Sequence, residues 1–307
     1  MLDQVIDARK TDLGGGFAVS RILPFRGRRM VGPFIFLDHA GPLDRPADQL
    51  RQADVRPHPH IGLSTVSYLF SGRMTHRDSL GYEQVIRPAE VNWMTAGRGI
   101  AHSERFDAPD QIAGGAIELL QSWVALPNES EEVAPSFDSY RSESLPEATE
   151  GGLWMRLIAG TAFGLSNEVK THSPLFYLHA VLQPGAKLGL PRGHTERAAY
   201  VAKGKVDFAG RSYHTGQMLV FKPDAEPTMT AGEGATVMLL GGEPVGERFI
   251  WWNFVSSSVA RIEQAKEDWR AGRIPLPPTD KDEFIPLPTD RPGPGKPAKT
   301  PAADSIS

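Results

Sequence analysis

The sequence contains no cysteine among its 307 residues. That absence excludes disulfide bonds, thiolate metal sites and cysteine nucleophiles, so a metal site in this chain must be built from histidine and carboxylate side chains. The sequence also has no run of about 18 apolar residues, and its first ten residues lack the apolar segment of a signal peptide. These absences predict a cytoplasmic protein that does not associate with a membrane.

The sequence also lacks an excess of positively charged residues over negatively charged ones. The chain has 33 lysine and arginine residues against 37 aspartate and glutamate residues, which gives a formal net charge of −4. Surfaces that bind nucleic acid are strongly basic as a rule, so direct binding to DNA or RNA is not expected. The charge does not exclude a protein partner that itself binds DNA.

Glycine and proline are abundant and interrupt the chain at many points. The 31 glycines and 26 prolines separate short runs that are rich in valine, leucine and aromatic residues, a pattern typical of an all-β sandwich or barrel. The segment YLFSGRMTHRDSLG at 68–81 resembles YVAKGKVDFAG at 200–210 in its order of β-run, glycine turn and second β-run. This weak internal similarity predicts a duplicated β-barrel.

A helical period is clear in one segment, residues 259–271. Its apolar residues recur at the spacing of one helix face. Ser258 is suited to cap the start of this helix and Gly272 to end it. The sequence therefore predicts a short helix towards the C-terminus.

Composition also divides the chain into regions. Residues 131–150 are acidic and polar, and we interpret them as a linker between a first domain at 1–130 and a second domain at 151–274. Nine of the 26 prolines fall in residues 275–307, and the apolar content drops towards the end. This last region is predicted to be a disordered, proline-rich tail.

Two histidines, His58 and His60, are separated by one residue in the stretch RPHPHIG. On a β-strand, residues i and i+2 point to the same face, so both imidazoles can bind one metal ion. His102 and Glu104 repeat this spacing, 42 residues after His60, which is enough chain for a hairpin that brings the second pair beside the first. Three imidazoles and one carboxylate suit Fe(II), Mn(II), Ni(II), Cu(II) or Zn(II).

Each of these motifs is weak on its own, because H-x-H and H-x-E pairs also occur by chance.

His76 and Asp78 form another pair with a possible role at this site. The pair either orients a ligand imidazole or forms a local turn in which Asp78 bonds the backbone. The turn is the favoured interpretation.

The phase of the strand after the histidines predicts which side chains line a pocket. If this strand runs unbroken through residues 63–70, then Val66, Tyr68 and Phe70 share the face of both histidines. These side chains are therefore predicted to form the apolar wall for a flat ligand, unless a bulge shifts the phase. Trp252, far along the chain, is expected to pack in the second half.

Four stretches together resemble the pirin family of the cupin superfamily: PHPHIGLSTVSYLFSG, THRDSLG, NWMTAGRGIAHSE and GGEPVGERF. The resemblance implies an all-β bicupin fold with two cupin-type β-barrels, of which the N-terminal barrel binds a metal. It implies His58, His60, His102 and Glu104 as the metal ligands. Fe(II) is the expected ion, ahead of manganese, nickel, copper or zinc.

The second half does not carry this ligand set at the matching positions. Counting back from Gly204 as from Gly72 places Leu190 and Arg192 where the H-x-H pair stands in the first half. The second barrel is therefore predicted to bind no metal.

The resemblance implies an activity of the quercetin 2,3-dioxygenase type on a small aromatic, flavonol-like substrate. In that reaction the flavonol 3-hydroxyl loses its proton, O₂ opens the ring and carbon monoxide is released. Glu104 is the one carboxylate in the implied ligand set, so it is the expected catalytic base.

A second function is also consistent with the resemblance. Pirins are described as iron-binding, redox-sensitive regulatory proteins that bind a transcription factor or a metabolic enzyme, and both functions use the same four ligands. A metal-dependent phosphosugar isomerase is a weaker third alternative, because no cluster of lysine and arginine lies near the motifs to bind a phosphate.

Overall fold

The computed structural model describes residues 1–12, 18–107 and 114–289. The chain forms two β-barrels, as the sequence predicted. The described residues up to the end of the predicted linker contain one short α-helix, α1 (Ala47–Leu50), and thirteen strands: β1 (Leu2–Asp7), β2 (Arg9–Asp12), β3 (Ala18–Leu23), β4 (Phe34–Pro46), β5 (Val55–His60), β6 (Leu63–Ser71), β7 (Met74–Asp78), β8 (Glu83–Ile86), β9 (Val91–Thr95), β10 (Ile100–Arg105), β11 (Gly114–Ala125), β12 (Ser136–Tyr140) and β13 (Glu147–Glu150).

The remaining described residues contain twelve strands followed by a helix. They are β14 (Leu153–Ala162), β15 (Leu165–Ser166), β16 (Leu175–Leu182), β17 (Lys187–Gly189), β18 (Glu196–Lys203), β19 (Lys205–Phe208), β20 (Arg211–His214), β21 (Gln217–Phe221), β22 (Thr228–Thr230), β23 (Ala235–Gly242), β24 (Phe249–Trp251), β25 (Phe254–Ser256) and α2 (Val259–Arg270). Neither described helix has the length and apolar content needed to cross a bilayer.

Each barrel is made of a large and a small sheet. In the first barrel the large sheet has the order β12-β9-β6-β11-β4-β3-β2 and the small sheet the order β5-β10-β7-β8. In the second barrel the large sheet follows β1-β21-β18-β23-β16-β14-β13, with β15 beside β14, and the small sheet is β17-β22-β19-β20. The order β9-β6-β11-β4 matches β21-β18-β23-β16, which supports the predicted duplication.

The two barrels exchange their terminal segments. β1 pairs with β21 in the large sheet of the second barrel, whereas β24, β25 and α2 pack against Ile61 and Ala101 of the first barrel. The boundaries thus differ from the contiguous domains 1–130 and 151–274 predicted from composition. Composition reports how polar a segment is but not which distant strand it pairs with.

The predicted linker at 131–150 also takes part in the sheets. β12 pairs with β9 in the first barrel, and β13 pairs with β14 in the second. The acidic composition therefore marks an exposed connection that is nevertheless held by backbone pairing at both of its ends.

The predicted C-terminal helix is present as α2. The side chain of Ser258 accepts a hydrogen bond from the Arg261 amide at its start, and Gly272 follows its end with φ +67°. Its buried face consists of Ile262, Ala265 and Trp269.

The first part of the proline-rich tail, residues 275–289, lies against the first barrel. The Ile285 amide donates to the Pro57 carbonyl at 2.8 Å, and the Asp280 carboxylate accepts from Ser103 and Arg105 of β10. These residues thus differ from the predicted disorder, because their polar groups find partners on the barrel surface. The rest of the predicted disordered tail, 290–307, lies outside the described residues.

The large sheets of the two barrels share one apolar core. Three tyrosine hydroxyls in this core make hydrogen-bond contacts from one barrel to the other: Tyr68 with His179 at 2.9 Å, Tyr177 with Ser122 at 3.0 Å, and Tyr200 with His39 at 2.8 Å. These contacts satisfy polar groups that burial would otherwise leave unpaired, so they fix the two barrels against each other.

Candidate metal centre

Three histidines meet inside the first barrel on the first two strands of its small sheet. β5 and β10 are antiparallel neighbours, with His102 directly opposite His58, and β5 ends at His60. All three imidazoles are buried, and one ligand nitrogen from each lies within 4.8 Å of the others. The hairpin and return predicted from the sequence thus bring these three side chains together.

The spacing of these nitrogens is close to that of imidazole nitrogens that bind the same metal ion. Ligand nitrogens at about 2.0–2.1 Å from one ion lie at most about 4.2 Å apart. The ring centroids are separated by 4.4 Å for His58 and His102, 5.0 Å for His58 and His60, and 5.1 Å for His60 and His102. Small side-chain rotations are enough to place all three nitrogens around one cation.

The hydrogen bonds of His58 and His60 fix which ring nitrogen carries the proton. Nδ1 of His58 lies 2.9 Å from the Arg56 carbonyl, and Nδ1 of His60 lies 3.2 Å from the Asn253 carbonyl. A carbonyl only accepts, so both Nδ1 atoms donate and both Nε2 atoms keep a free lone pair. Outer hydrogen bonds of this kind orient metal-binding histidines.

A longer chain of hydrogen bonds fixes the proton of His102. Oδ2 of Asp78 lies 3.0 Å from Nε2 of His76, and Nδ1 of His76 lies 3.4 Å from Nδ1 of His102. Because the carboxylate accepts, His76 donates from Nε2 and accepts at Nδ1, so His102 donates from Nδ1. Its Nε2 is buried without a hydrogen-bond partner among the described residues. The Nε2 lone pair of His102, beside the free Nε2 lone pairs of His58 and His60, is therefore suited to bind a metal ion.

Asp78 has both of the roles that the sequence left open. Its Oδ1 accepts from the backbone amides of Leu80 and Tyr82, as the favoured turn interpretation predicts. Its Oδ2 accepts a hydrogen bond from His76, a contact that the turn interpretation does not include. The carboxylate is completely buried, so one side chain connects the surface turn to the histidine cluster.

Burial keeps the three histidines in the neutral form. It lowers the pKa of His58 to about 4, and it lowers the pKa of His60 and His102 well below the ordinary value. Neutral imidazole is the form that binds a metal ion, so no proton has to be displaced from these rings near neutral pH.

Glu104 lies beside the cluster but outside the group of mutually close ligand atoms. Its half-buried carboxylate lines the same cavity, 3.5 Å from the Ser67 hydroxyl, and the pairing of β10 with β5 shifts register between His102 and Glu104. Burial raises the pKa of Glu104 to about 7, and the Ser67 contact lowers it in part. Its role as the fourth ligand stays a prediction.

The histidines and Glu104 line a cavity of about 680 Å³, which we call the first-barrel cavity. This volume is within the range of sites for small organic ligands. Its apolar wall includes residues from β4, β11 and two C-terminal segments: Phe36, Leu119, Trp123, Ile250, Trp252 and Ile285. Phe36 and Trp123 are stacked at 4.1 Å, and Trp123 presents its ring at 5.2 Å to His60.

The predicted wall of Val66, Tyr68 and Phe70 is wrong. Val66 and Tyr68 belong to the apolar core shared by the two barrels, and Phe70 packs against it. The strand is broken at Gly62, where φ is +68° and the chain passes from the small sheet to the large one. The break reverses the phase, so the Ser67 side chain instead points towards Glu104 and Gln121, two residues that line the cavity.

Two residues of the cavity were missed or misplaced by the sequence. Trp252 lines the first-barrel cavity, so the expectation that it packs in the second half is wrong. Asn253, whose carbonyl holds His60, comes from the same turn between β24 and β25. No local signal identifies either residue, because Asn253 lies 193 residues from His60.

The corresponding part of the second barrel is filled with apolar side chains. β17 pairs with β22 so that Leu188 lies opposite Met229, and both are buried in the core of this barrel. Leu190 is also buried, whereas the exposed Arg192 pairs with Glu226. Within the described residues, the histidine cluster of the first barrel is the one group suited to a metal ion.

Comparisons with known proteins agree with this architecture. The pirin family model matches residues 16–124, and the model of the pirin C-terminal cupin domain matches residues 177–275. A pirin-like protein of Caulobacter vibrioides is 57% identical over 94% of this chain and 100% of its own length. A pirin-like protein of Solanum lycopersicum is 30% identical over 87% of this chain and 90% of its own length.

Solved structures show the same relationship. A crystal structure of quercetin 2,3-dioxygenase from Acinetobacter baumannii superposes with a TM-score of 0.88 at 32% identity, and the match covers 96% of this chain and 98% of that one. With both domain models matched in order and a relative similar over almost its full length, the chain belongs to the pirin family.

Proposed function

We propose that this protein is a cytoplasmic, metal-dependent dioxygenase that opens a flavonol-like aromatic substrate with O₂. The observation that carries this proposal is the convergence of three buried imidazoles, each with a free Nε2 lone pair, at one end of an aromatic-walled cavity. The similarity to a structure named quercetin 2,3-dioxygenase supports the class of substrate.

His58, His60 and His102 would hold the ion, with Glu104 as the fourth ligand. Iron(II) is proposed ahead of manganese, nickel, copper and zinc, all of which accept imidazole and carboxylate. When bound, such an ion supplies the Lewis-acid and redox chemistry that oxygenation of an aromatic alcohol requires.

The side chains of the cavity have separate tasks in this proposal. The Glu104 carboxylate takes the proton of the substrate 3-hydroxyl. The Ser67 hydroxyl lies 3.5 Å from that carboxylate and makes its shorter hydrogen bond, of 2.8 Å, to Gln121. The stacked Phe36 and Trp123 contact the flat face of the substrate and exclude water from it. The products are the ring-opened ester and carbon monoxide.

The test combines metal analysis with turnover. Purified protein is expected to contain about one metal per chain and, after loading with iron(II), to consume O₂ and release carbon monoxide with quercetin. Glu104→Gln is expected to lose turnover more completely than metal content, because the amide cannot take up the proton. Glu83→Gln, at an exposed residue of β8, is the matched control.

One result would reject the dioxygenase, and another would reject only the assignment of its base. Metal-loaded wild-type protein that neither consumes O₂ nor releases carbon monoxide with any 3-hydroxyflavone is not a dioxygenase of this type. Full turnover by Glu104→Gln would leave the dioxygenase but remove Glu104 as its base.

An iron-binding, redox-sensitive regulatory protein that binds a transcription factor or a metabolic enzyme is the second candidate. The observation that favours it is that Asp78 connects His76, behind a candidate ligand, to a turn that exposes Leu80 and Tyr82. Hydrogen exchange of those two amides in the iron(II) and iron(III) proteins is the test. Equal exchange rates in both states would remove the support for a switch.

A further inference from the structure

A polar pair lies in the first-barrel cavity away from the histidines. Arg21 and Asp38 are cross-strand partners on β3 and β4, and both line the cavity. Nε of Arg21 lies 2.9 Å from Oδ1 of Asp38 and Nη2 lies 2.7 Å from Oδ2, so the pair is bidentate. The Asp38 side chain is 5% exposed and the Arg21 side chain 23% exposed.

This pair is rigidly connected to the candidate metal centre by aromatic rings. The Arg21 guanidinium lies over Phe36 at 4.7 Å, Phe36 stacks on Trp123, and Trp123 contacts His60. A guanidinium that is both stacked and held by two hydrogen bonds loses little further freedom when it binds a ligand.

The register of the large sheet gives the distance between the two ends of the cavity. Arg21, Asp38, Gln121 and Ser67 are successive cross-strand partners on β3, β4, β11 and β6. Three interstrand spacings of about 4.8 Å place the Arg21 backbone about 14 Å from that of Ser67 along the sheet. Ser67 in turn contacts Glu104. A flat molecule of three rings therefore reaches from the histidine end to Arg21.

The donors of Arg21 and the acceptors of Asp38 determine which chemical group can bind to the pair. Arg21 has five N–H donors and uses two of them on Asp38, while each Asp38 oxygen has a second lone-pair direction. A hydroxyl group can accept from Arg21 and donate to Asp38 at once. A carboxylate can use only Arg21, and it also faces the charge of Asp38.

We propose that Arg21 and Asp38 form a specificity site that binds a phenolic hydroxyl group at the end of the substrate remote from the histidines. The site therefore prefers a neutral, hydroxylated aromatic ring over an unsubstituted ring or an aromatic carboxylate. This inference rests on the proposed function for the class of substrate, but its test measures binding and not turnover.

The experiment uses full-length protein loaded with zinc(II) under anaerobic conditions, so that no oxidation takes place. Dissociation constants are measured by tryptophan fluorescence for 3-hydroxyflavone, its 4′-hydroxy derivative and its 4′-carboxylate derivative. We expect the wild type to bind the 4′-hydroxy compound about tenfold more tightly than 3-hydroxyflavone, as one net hydrogen bond contributes, and the carboxylate no more tightly than 3-hydroxyflavone.

Asp38→Asn is the informative variant because it keeps the shape of the pair and removes its negative charge. It is expected to bind the 4′-carboxylate most tightly of the three compounds, since Arg21 is then unneutralised. The double variant Arg21→Leu/Asp38→Leu removes both charges without leaving one of them buried alone. It is expected to bind all three compounds within about threefold of one another.

Arg9→Gln is the matched control. Arg9 lies opposite Arg21 on β2 and is exposed, and its replacement removes one positive charge near the pair. It is expected to keep the wild-type order of affinities.

Three results would overturn the inference: equal wild-type affinities for 3-hydroxyflavone and its 4′-hydroxy derivative, a hydroxyl preference that persists in the double variant, or no binding of any of the three compounds. A protein that shows the predicted selectivity but no turnover with iron and O₂ would keep the specificity site and reject the dioxygenase.

Discussion

Nδ1 of His76 lies 3.4 Å from Nδ1 of His102, although the register of β7 and β10 places His102 opposite Asp78 and His76 opposite Glu104. On the far side of the ring, Nε2 of His76 lies 3.0 Å from Asp78. The buried Asp78 carboxylate therefore determines, through His76, which ring nitrogen of His102 carries the proton.

Asp78→Asn is predicted to weaken metal binding by 10- to 100-fold. The asparagine amide can accept from the turn amides of Leu80 and Tyr82 only if its nitrogen faces His76. His76 then carries its proton on Nδ1, His102 carries its own on Nε2, and that nitrogen can no longer bind the ion. The measurement is competition with a chromophoric chelator for zinc(II).

Asp107→Asn is the control for that variant. Asp107 accepts from Arg77, the residue between His76 and Asp78, but it makes no contact with either ring. It is expected to keep wild-type metal affinity. Equal affinities in the wild type and Asp78→Asn would show that His76 does not set the proton of His102.

The protein is predicted to lose stability between pH 7 and pH 5 through His179. Burial, aided by the charge of Arg156, lowers the pKa of His179 to about 4. The unfolded chain takes up a proton here below about pH 6.5 and the folded protein does not, so the free energy of unfolding falls as the pH decreases through this interval. The contribution of this residue between pH 7 and pH 5 is about 2 kcal/mol.

His179→Gln tests this contribution by urea unfolding at both pH values. The variant is expected to lose about 2 kcal/mol less than the wild type on going from pH 7 to pH 5. Tyr68→Phe removes the hydroxyl that contacts His179 but leaves the imidazole buried. It should lower stability at both pH values and keep the wild-type dependence. An unchanged pH dependence in His179→Gln would contradict the assignment.

Gly62→Ala is predicted to be more destabilising than an ordinary substitution at positive φ. A Cβ at Gly62 would stand 2.0 Å from the Val255 carbonyl oxygen, which is backbone and cannot rotate away. The cost is at least about 3 kcal/mol, because either β25 or the sheet change after His60 has to move. Denaturant unfolding of the apo protein measures it.

Gly81→Ala separates the clash from the backbone conformation. Gly81 has φ +93°, and a Cβ there would meet no atom within 4 Å. Gly81→Ala is expected to lower the free energy of unfolding by only about 1 kcal/mol, the usual cost of a positive φ for a residue with a side chain. Comparable losses in both variants would mean that contact with Val255 is unimportant.

The sequence predicted the histidine cluster because the information was local. Residues i and i+2 on a strand share a face whatever the rest of the chain does, so His58 and His60 required only that β5 exist. His102 needed one further step, the return of a hairpin, and the length of the intervening chain is enough for that return.

The cavity wall could not be predicted in the same way. The phase of β6 depends on a single backbone conformation at Gly62, which reverses the face of every residue after it. Trp252 and Asn253 reach the cavity only because the C-terminal segment returns to the first barrel. Such returns depend on packing between distant elements, for which a single sequence carries no periodic signal.

Asp280 is predicted to stabilise the strand that bears His102 and Glu104. Its carboxylate accepts from Ser103 at 2.6 Å and from Nε and Nη2 of Arg105 at 2.7 and 2.8 Å, on the face of β10 opposite the cavity. Asp280→Ala leaves the buried hydroxyl and part of the guanidinium unpaired, so it is expected to cost about 1–3 kcal/mol.

The same variant is expected to release bound zinc(II) to a chelator several times faster than the wild type, because β10 then opens more often. Glu283→Gln is the control, since Glu283 contacts the same arginine from a side chain that is 48% exposed and should change stability by less than about 0.5 kcal/mol. If Asp280→Ala were destabilised but released zinc at the wild-type rate, the C-terminal segment would support the fold without supporting the metal site.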